Sequence, residues 1–414
     1  MLTLKLDPWN KTIMKGVVIL AFATVLMVFL SGCTIGGPGT GGPPCQTSPG
    51  EWVPAQGECP GSDTETQQKC NTFCDSHPDC CGERGGNESS YRWQTLLPLP
   101  PDAEIAALAR NYPITIKAIN EGPMIYSQNG SAAVISDATL ARMKETGFNT
   151  VQIMLIGKKV ANGTIVFNEE NNAVLLNDVV AIKKSGMAVW VVLDMAGYAD
   201  AASNPYASYA EFKPAYLNLV RLSAPLMEKY KVEYFTPCNE PDKYFKEQTQ
   251  WGSADDINAY LEEFFPTMNA EARRNFDGKL IGKITQISKH DPAVVDASLT
   301  GVDIGGVDVG PNLEGALPVD RYEQEFGDYQ LYATAAAAKG VPWMNAEYWQ
   351  GDFFVDYPAH VKNNQLAYAN VSFNAYLAVM PKGVGYTWND FSTFSLQPQG
   401  EATRLAIKEF LAKI

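Results

Sequence analysis

The sequence predicts an α/β protein, a closed (β/α)8 barrel preceded by a small disulfide-rich module. Three observations carry this. Eight short runs between residues 102 and 414 are mostly apolar rather than alternating, as strands buried on both faces are. The stretches between them have helical periodicity and ordinary helix starts and stops. Repeated βα units force parallel strands with right-handed crossovers, and eight such units match a barrel, for which about 250 residues is typical. An open doubly wound sheet is the alternative.

In chain order, the expected strands are Ile114–Ile119, Thr150–Ile156, Ala188–Leu193, Val232–Phe235, Leu280–Thr285, Val302–Val309, Trp343–Ala346 and Val384–Thr387. Helices are expected at Ser136–Thr146 and Asn172–Ser185, each stopped by a glycine, and at Tyr209–Tyr230. Ser253–Arg274 opens with Ser-Ala-Asp-Asp, a capped start. Tyr329–Lys339 stops at Gly340, and Gln365–Met380 and Glu401–Lys413 complete the set. Only a weak helix around Val294–Leu299 lies between the fifth and sixth strands.

Ahead of the barrel (102–414) lie four segments. Residues 1–33 are a targeting segment: Lys11 and Lys15 precede an apolar run from Val17 to Leu30, too short to span a bilayer. Met14 makes a more usual start for such a segment than Met1. Leu30-Ser31-Gly32-Cys33 resembles the lipobox of prokaryotic lipoproteins, and the resemblance implies lipidation of Cys33 and an extracytoplasmic protein anchored to the membrane. An ordinary cleaved signal, or a retained anchor helix, is the competing reading. Residues 34–44 are a Gly/Pro linker, and their literal G-x-G-x-x-G lacks both the strand and the helix of a dinucleotide site. Residues 45–86 hold Cys45, Cys59, Cys70, Cys74, Cys80 and Cys81. In an exported chain such a dense, even cluster means disulfides, here three bridges with about 15 possible connectivities. Zinc is the rival, but no C-x-x-C pair is present. Residues 87–101 connect the module to the barrel.

Composition narrows the chemistry. The net charge is −14 with no basic stripe, which argues against a nucleic-acid partner. Aromatics make up 11%, enough to line a groove that stacks on flat ligands, although most such rings fill core. The 3 histidines (His77, His290, His360) are scattered, so no histidine metal cluster forms, and no metal or other cofactor is expected. Neither a G-x-S-x-G elbow nor a phosphate-binding P-loop occurs. Nothing in the sequence asks for more than a monomer.

In a barrel the chemistry sits where strands run into βα loops. Those ends carry Lys117, Asn120 and Glu121 after the first strand, Lys158 after the second, and Asp194 and Tyr198 after the third. Asn239 and Glu240 follow the fourth, Asp308 and Asn312 the sixth, Glu347 and Trp349 the seventh, and Trp388 to Asp390 the eighth. Two carboxylates at the ends of buried strands, Glu240 and Glu347, suit acid–base or glycosidic chemistry.

Asn239-Glu240-Pro241 on strand four with Glu347 on strand seven resembles the "4/7" superfamily of retaining glycoside hydrolases, in the style of the family 5 cellulases and mannanases. Phe148-Asn149-Thr150-Val151 and Trp388 are similar to that group too, and the resemblance spans the barrel. It implies Glu240 as acid and then base, Glu347 as nucleophile, and Asn239 as the partner of a sugar hydroxyl. Trp388, Trp349 and Trp251 become candidates for a stacking platform, with Asp194 and Asn120 as further substrate contacts. The resemblance also implies that Glu347, ionised, raises the pKa of Glu240 so that it holds a proton. Two departures stand out: Gln152 replaces the family's strand-two arginine, and the family's His and Tyr near strand six are missing.

Each residue has a plainer reading. Glu240 precedes Pro241-Asp242 as a helix cap would; Glu347 reads as an ordinary partner for a buried base; Trp388 as barrel packing; Cys238 as a small inert core residue. Asp194 and Asp308 read as supporting residues. The expected function is a retaining β-glycosidase acting on an oligo- or polysaccharide. A carbohydrate-binding surface lipoprotein without activity, or a transglycosylase, is the alternative.

Overall fold

The computed structural model describes residues 98–121, 134–156, 158–159, 165–166, 172–194, 206–285, 287, 290–309, 318–348, 365–379, 383–389 and 398–414. The chain divides between Ser89 and Ser90, and all the described residues belong to the second unit. The targeting segment with Cys33, the linker and the six cysteines of the module lie outside the described residues.

The elements run α1 (Asp102–Ala106), β1 (Ile116–Glu121), α2 (Asp137–Thr146), β2 (Thr150–Ile156), β3 (Lys158–Lys159), β4 (Ile165–Val166), α3 (Ala173–Lys184), β5 (Ala188–Asp194), α4 (Tyr209–Lys229) and β6 (Tyr234–Thr236). They continue α5 (Pro241–Glu247), α6 (Ala254–Arg273), β7 (Lys279–Thr285), α7 (Pro292–Ser298), β8 (Ile304–Asp308), α8 (Pro318–Lys339), β9 (Trp343–Tyr348), α9 (Gln365–Val379), β10 (Gly383–Asn389) and α10 (Pro398–Leu411). The strands close in the order β1-β10-β9-β8-β7-β6-β5-β2, all parallel, with β1 paired to both β10 and β2. This closure excludes the open sheet. The β3–β4 pair is a separate antiparallel ribbon.

All eight expected strands form, and the misfits have local causes. β6 begins later than expected because Val232 donates its N–H back to the Met227 carbonyl, finishing α4, with Lys231 in a left-handed conformation (φ 52°). α8 begins at Pro318, well ahead of the expected Tyr329. Its first turns bury Arg321, Glu325 and Asp328, polar residues that interrupt the apolar period by which a helix is recognised. The weak helix between strands five and six is α7, started by Pro292 and capped by Asp291, whose side chain accepts from Ala293 N at 2.9 Å.

Two cores follow from strand alternation. Ile116, Ala118, Trp190, Tyr234, Ile281 and Met344 fill the barrel, while the larger cluster packs strands against helices. Trp190 donates its indole N–H to Thr236 Oγ1 at 3.0 Å, and Thr236 donates on to the Ile281 carbonyl at 2.9 Å, so neither polar group is stranded inside. Gly306 has no room for a side chain: a Cβ there would lie 2.7 Å from the Gly282 carbonyl and 2.8 Å from Ala346 Cβ. The barrel is closely packed at this level. Among the described residues no helix is long and apolar enough to cross a membrane.

Candidate active site

After β6 the chain runs through Pro237, Cys238 and Asn239 to Glu240, which takes a left-handed backbone conformation (φ 47°, ψ 48°) before Pro241 starts α5. A non-glycine residue held there costs on the order of 1–3 kcal/mol, and such strain collects at functional sites. Glu240 occupies the N-cap position of α5 but its side chain makes no capping bond. The helix-cap reading thus describes its backbone and not its carboxylate. The turn is fastened by Asp242, fully buried, whose carboxylate accepts from Thr285 N at 3.2 Å, Thr285 Oγ1 at 2.5 Å and His290 Nε2 at 2.9 Å. His290 Nε2 also lies 2.8 Å from the Thr285 carbonyl, so that nitrogen carries the proton, and Nδ1 faces Lys246 Nζ at 3.2 Å.

Glu347 reaches the same place through an irregular strand. Met344 and Ala346 point into the barrel, so Glu347 would face outward in a regular strand. The register shifts instead between Val307↔Asn345 and Asp308↔Glu347, with a matching shift against β10, and Tyr348 returns to the outer cluster. This bulge turns Glu347 back to the site.

Lys283, in the middle of β7, joins these parts. Its ammonium donates to Asn239 Oδ1 at 2.8 Å and to Glu347, and lies 3.2 Å from Asp308 Oδ2 and 3.9 Å from Glu240 Oε1. Carboxylate oxygens of Glu240, Asp308 and Glu347 all lie within 4.8 Å of one another. Such a cluster is close enough to ligate a cation, and the positive charge among these carboxylates is the Lys283 ammonium. Lys243 adds a second, exposed ammonium 3.7 Å from Glu240.

The titration pattern follows. Burial drives the Asp308 carboxyl well above the usual range; Lys283 pulls it down, but Glu240 and Glu347 push it further up. Asp308 makes no side-chain hydrogen bond of ordinary geometry; Oδ2 lies 3.2 Å from the Lys283 ammonium. Burial likewise pushes Glu347 up to about 7 against the pull of Lys283. Glu240 goes the other way. Burial raises it, but Lys283, the adjacent Asp308 carboxyl and Lys243 together bring it below the ordinary value. This reverses the expectation that Glu347 would raise Glu240, because that expectation lacked Lys283 and gave Asp308 only a supporting part. Of the three carboxyls, burial and its two carboxylate neighbours favour the protonated form of Asp308, while Glu240 is drawn toward the ionised form.

The remaining sequence candidates divide. Asn239 is in the site through Lys283, and its backbone N–H donates to the Leu193 carbonyl at 3.1 Å. Asn120, next to last in β1, lies on the inner face shared by Ile116 and Ala118, buried, with Oδ1 unpartnered. Gln152, also fully buried, donates Nε2 to the Ala346 carbonyl at 3.3 Å. Trp388 is not an open platform. It is 1% exposed and packs on Tyr348 and Phe373 in the outer core, which is the packing reading. Trp251 is likewise core, donating its indole N–H to the Tyr206 carbonyl at 3.1 Å. Cys238 is buried, and burial pushes its thiol up, so it is inert. Trp349, Tyr198, Asn312 and Asp390 lie outside the described residues, as do the side chains of Asp194, Glu121 and Lys158.

Lys283 is the residue that sequence reasoning missed. The signal was present: a lysine inside Leu280-Ile-Gly-Lys-Ile-Thr285, a run buried on both faces, requires buried counter-charges.

No protein-family model matches this sequence, and a search of curated proteins finds no match. Solved structures do match in fold. A family 5 glycoside hydrolase from Prevotella bryantii, in complex with a xyloglucan tetradecasaccharide, aligns over 75% of this chain and 98% of its own at 14% identity and TM-score 0.52. A trimodular endoglucanase of the same family covers 75% of this chain and 61% of its own at 12% identity and TM-score 0.54. A family 5 xyloglucanase from Paenibacillus pabuli covers 72% and 98% at 11% identity and TM-score 0.51. The chain shares their barrel fold. At such identity the likeness speaks to architecture, and activity has to be argued from the site.

Proposed function

We propose that this protein is a retaining β-glycosidase that hydrolyses a β-linked oligo- or polysaccharide at Glu240 and Glu347. One observation carries the reading: carboxylates from the fourth and seventh barrel strands converge with oxygens within 4.8 Å. That approach is nearer to a retaining pair, about 5–5.5 Å apart, than to an inverting pair, about 6.5–9.5 Å apart.

Glu347, ionised, attacks the anomeric carbon as Glu240 gives its proton to the departing oxygen. The bond to the leaving sugar breaks and a glycosyl ester to Glu347 forms. Water then attacks that carbon while Glu240, now a carboxylate, takes its proton, and Glu347 is released. Before the first step Glu240 needs a proton, and Asp308 holds one beside it. Transfer leaves Glu240 protonated and Asp308 ionised, 3.2 Å from the Lys283 ammonium that stabilises it.

Asn239 is positioned by Lys283 to bind a hydroxyl of the reacting sugar, and Asn120 offers an unpartnered buried oxygen on the same inner face. The shared fold supports the reading, since barrels of this shape include enzymes described as endoglucanases and xyloglucanases. Residues 1–33 add an extracytoplasmic, lipid-anchored location through Cys33. The test is a panel of β-glucans, mannans, galactans and chitin, with the first-formed anomer followed by NMR. A β product from a β-linked substrate is expected, and an α product would sink the retaining mechanism. A sugar-binding protein without activity is the second reading; what favours it is the Lys283–Glu347 ion pair, the ordinary buried partnership that a structural role would require.

A further inference from the structure

We infer that Lys283 is the positioning residue of this site: its one ammonium sets both the nucleophile Glu347 and the sugar-binding amide of Asn239, so that attack and substrate binding share a single anchor. The rate consequences rest on the glycosidase reading above; the anchoring itself does not.

The geometry leaves Lys283 no freedom. Its side chain is fully buried, and its ammonium donates to Glu347 and to Asn239 Oδ1 at 2.8 Å, with Asp308 Oδ2 a charge neighbour at 3.2 Å. Because the amide oxygen of Asn239 is committed to Lys283, the amide cannot flip, and its N–H donors take a fixed direction. The partner of Lys283 across the sheet is Gly306, where a Cβ would clash, so no neighbouring side chain competes for the space. Glu347 faces Lys283 from β9, Asp308 from β8, Glu240 from the β6–α5 turn and Lys243 from α5. From β2, Gln152 offers no charge and spends its amide on the Ala346 carbonyl. Lys283 is therefore, among the described residues, the fully buried cation that reaches these carboxylates.

A residue that merely filled the barrel would be replaceable by methionine of similar length. If Lys283 positions the site, Lys283→Met changes two things together. Titration of 13C-labelled carboxyl groups, followed by NMR on the full chain, moves Glu347 upward by about one pH unit or more, because the counter-charge is gone while burial and Glu240 remain. On the best substrate of the panel, kcat falls about a hundredfold or more and the acid limb of the kcat profile moves alkaline. An unmoved Glu347 titration, or an unchanged acid limb, would overturn the inference. Should the methionine variant not fold, Lys283→Arg carries the test. It keeps the charge but displaces the donors, so Glu347 titrates as in the wild type while kcat drops about tenfold or more. Wild-type kcat in that variant would overturn the positioning claim. Wild-type protein inactive on every polysaccharide, with the Lys283→Met titration shift present, would defeat the glycosidase reading and leave the anchor standing.

Discussion

Exchanging Glu347 for glutamine removes a charge and keeps the shape, and it separates a nucleophile from a structural counter-ion. Burial pushes Glu347 up to about 7, Lys283 opposing and Glu240 assisting, against an ordinary 4.5. As pH rises past 4.5 the unfolded chain releases this proton first. The folded state then loses stability until about pH 7, above which the loss stays constant. The gap between 4.5 and 7, at about 1.4 kcal/mol per pH unit, amounts to about 3 kcal/mol of destabilisation at pH 8. Glu347→Gln removes it, while Lys283 keeps Asp308 at 3.2 Å and Glu240 at 3.9 Å as partners. Denaturant unfolding should therefore find the variant more stable than wild type at pH 8, by up to about 3 kcal/mol, and nearly equal at pH 4. Activity should fall by about a thousandfold or more, since the carboxylate that attacks is gone. A variant that is less stable at pH 8 by about 1 kcal/mol or more would refute the reasoning. Glu347 would then be the structural partner of Lys283, because removing one member of a stabilising buried pair is costly.

Further outcomes follow from the same cluster. The acid limb of kcat/KM should lie near pH 7, where Glu347 ionises in the free enzyme, and a limb near 4 to 5 would contradict its burial among carboxylates. Asp308→Asn removes the stored proton and should lower kcat by about ten- to a hundredfold with little change in KM, read by steady-state kinetics on the best substrate. Asp242→Ala releases Thr285 and His290 from the turn that carries Glu240. It should cost about 2–4 kcal/mol in denaturant unfolding and lower kcat as well, since hydrogen bonds to a buried carboxylate are worth about 1.5–3 kcal/mol each.

The fold was legible because burial on both faces writes itself as continuous apolar runs, and glycines mark the ends of α2, α3 and α8. α8 was cut short where Arg321, Glu325 and Asp328 are buried against the pattern, a tertiary arrangement that no local period encodes. At the site, Asn239, Glu240 and Glu347 were readable from their places at strand ends, and the structure brings them together. Trp388 was misjudged because sequence does not reveal which face of a strand a residue takes, and this one faces α9 through Phe373. The bulge that aims Glu347 inward leaves no compositional mark in Trp343-Met-Asn-Ala-Glu-Tyr348. Lys283 was readable in principle, as a charge inside an apolar strand; its partners were not, since they come from three other segments of the chain. Protonation was least legible of all, because it depends on the summed field of Lys283, Lys243 and three carboxylates.

The most direct test is to trap the glycosyl intermediate with a 2-deoxy-2-fluoro β-glycoside of the preferred sugar and to map the adduct by peptide mass spectrometry. The expected result is one sugar on Glu347 in the wild-type protein, turning over slowly, and none in Glu347→Gln. An adduct on Asp308 or Glu240 instead, or a substrate hydrolysed with no trapped ester at all, would contradict the assignment of Glu347 as the nucleophile of a retaining pair.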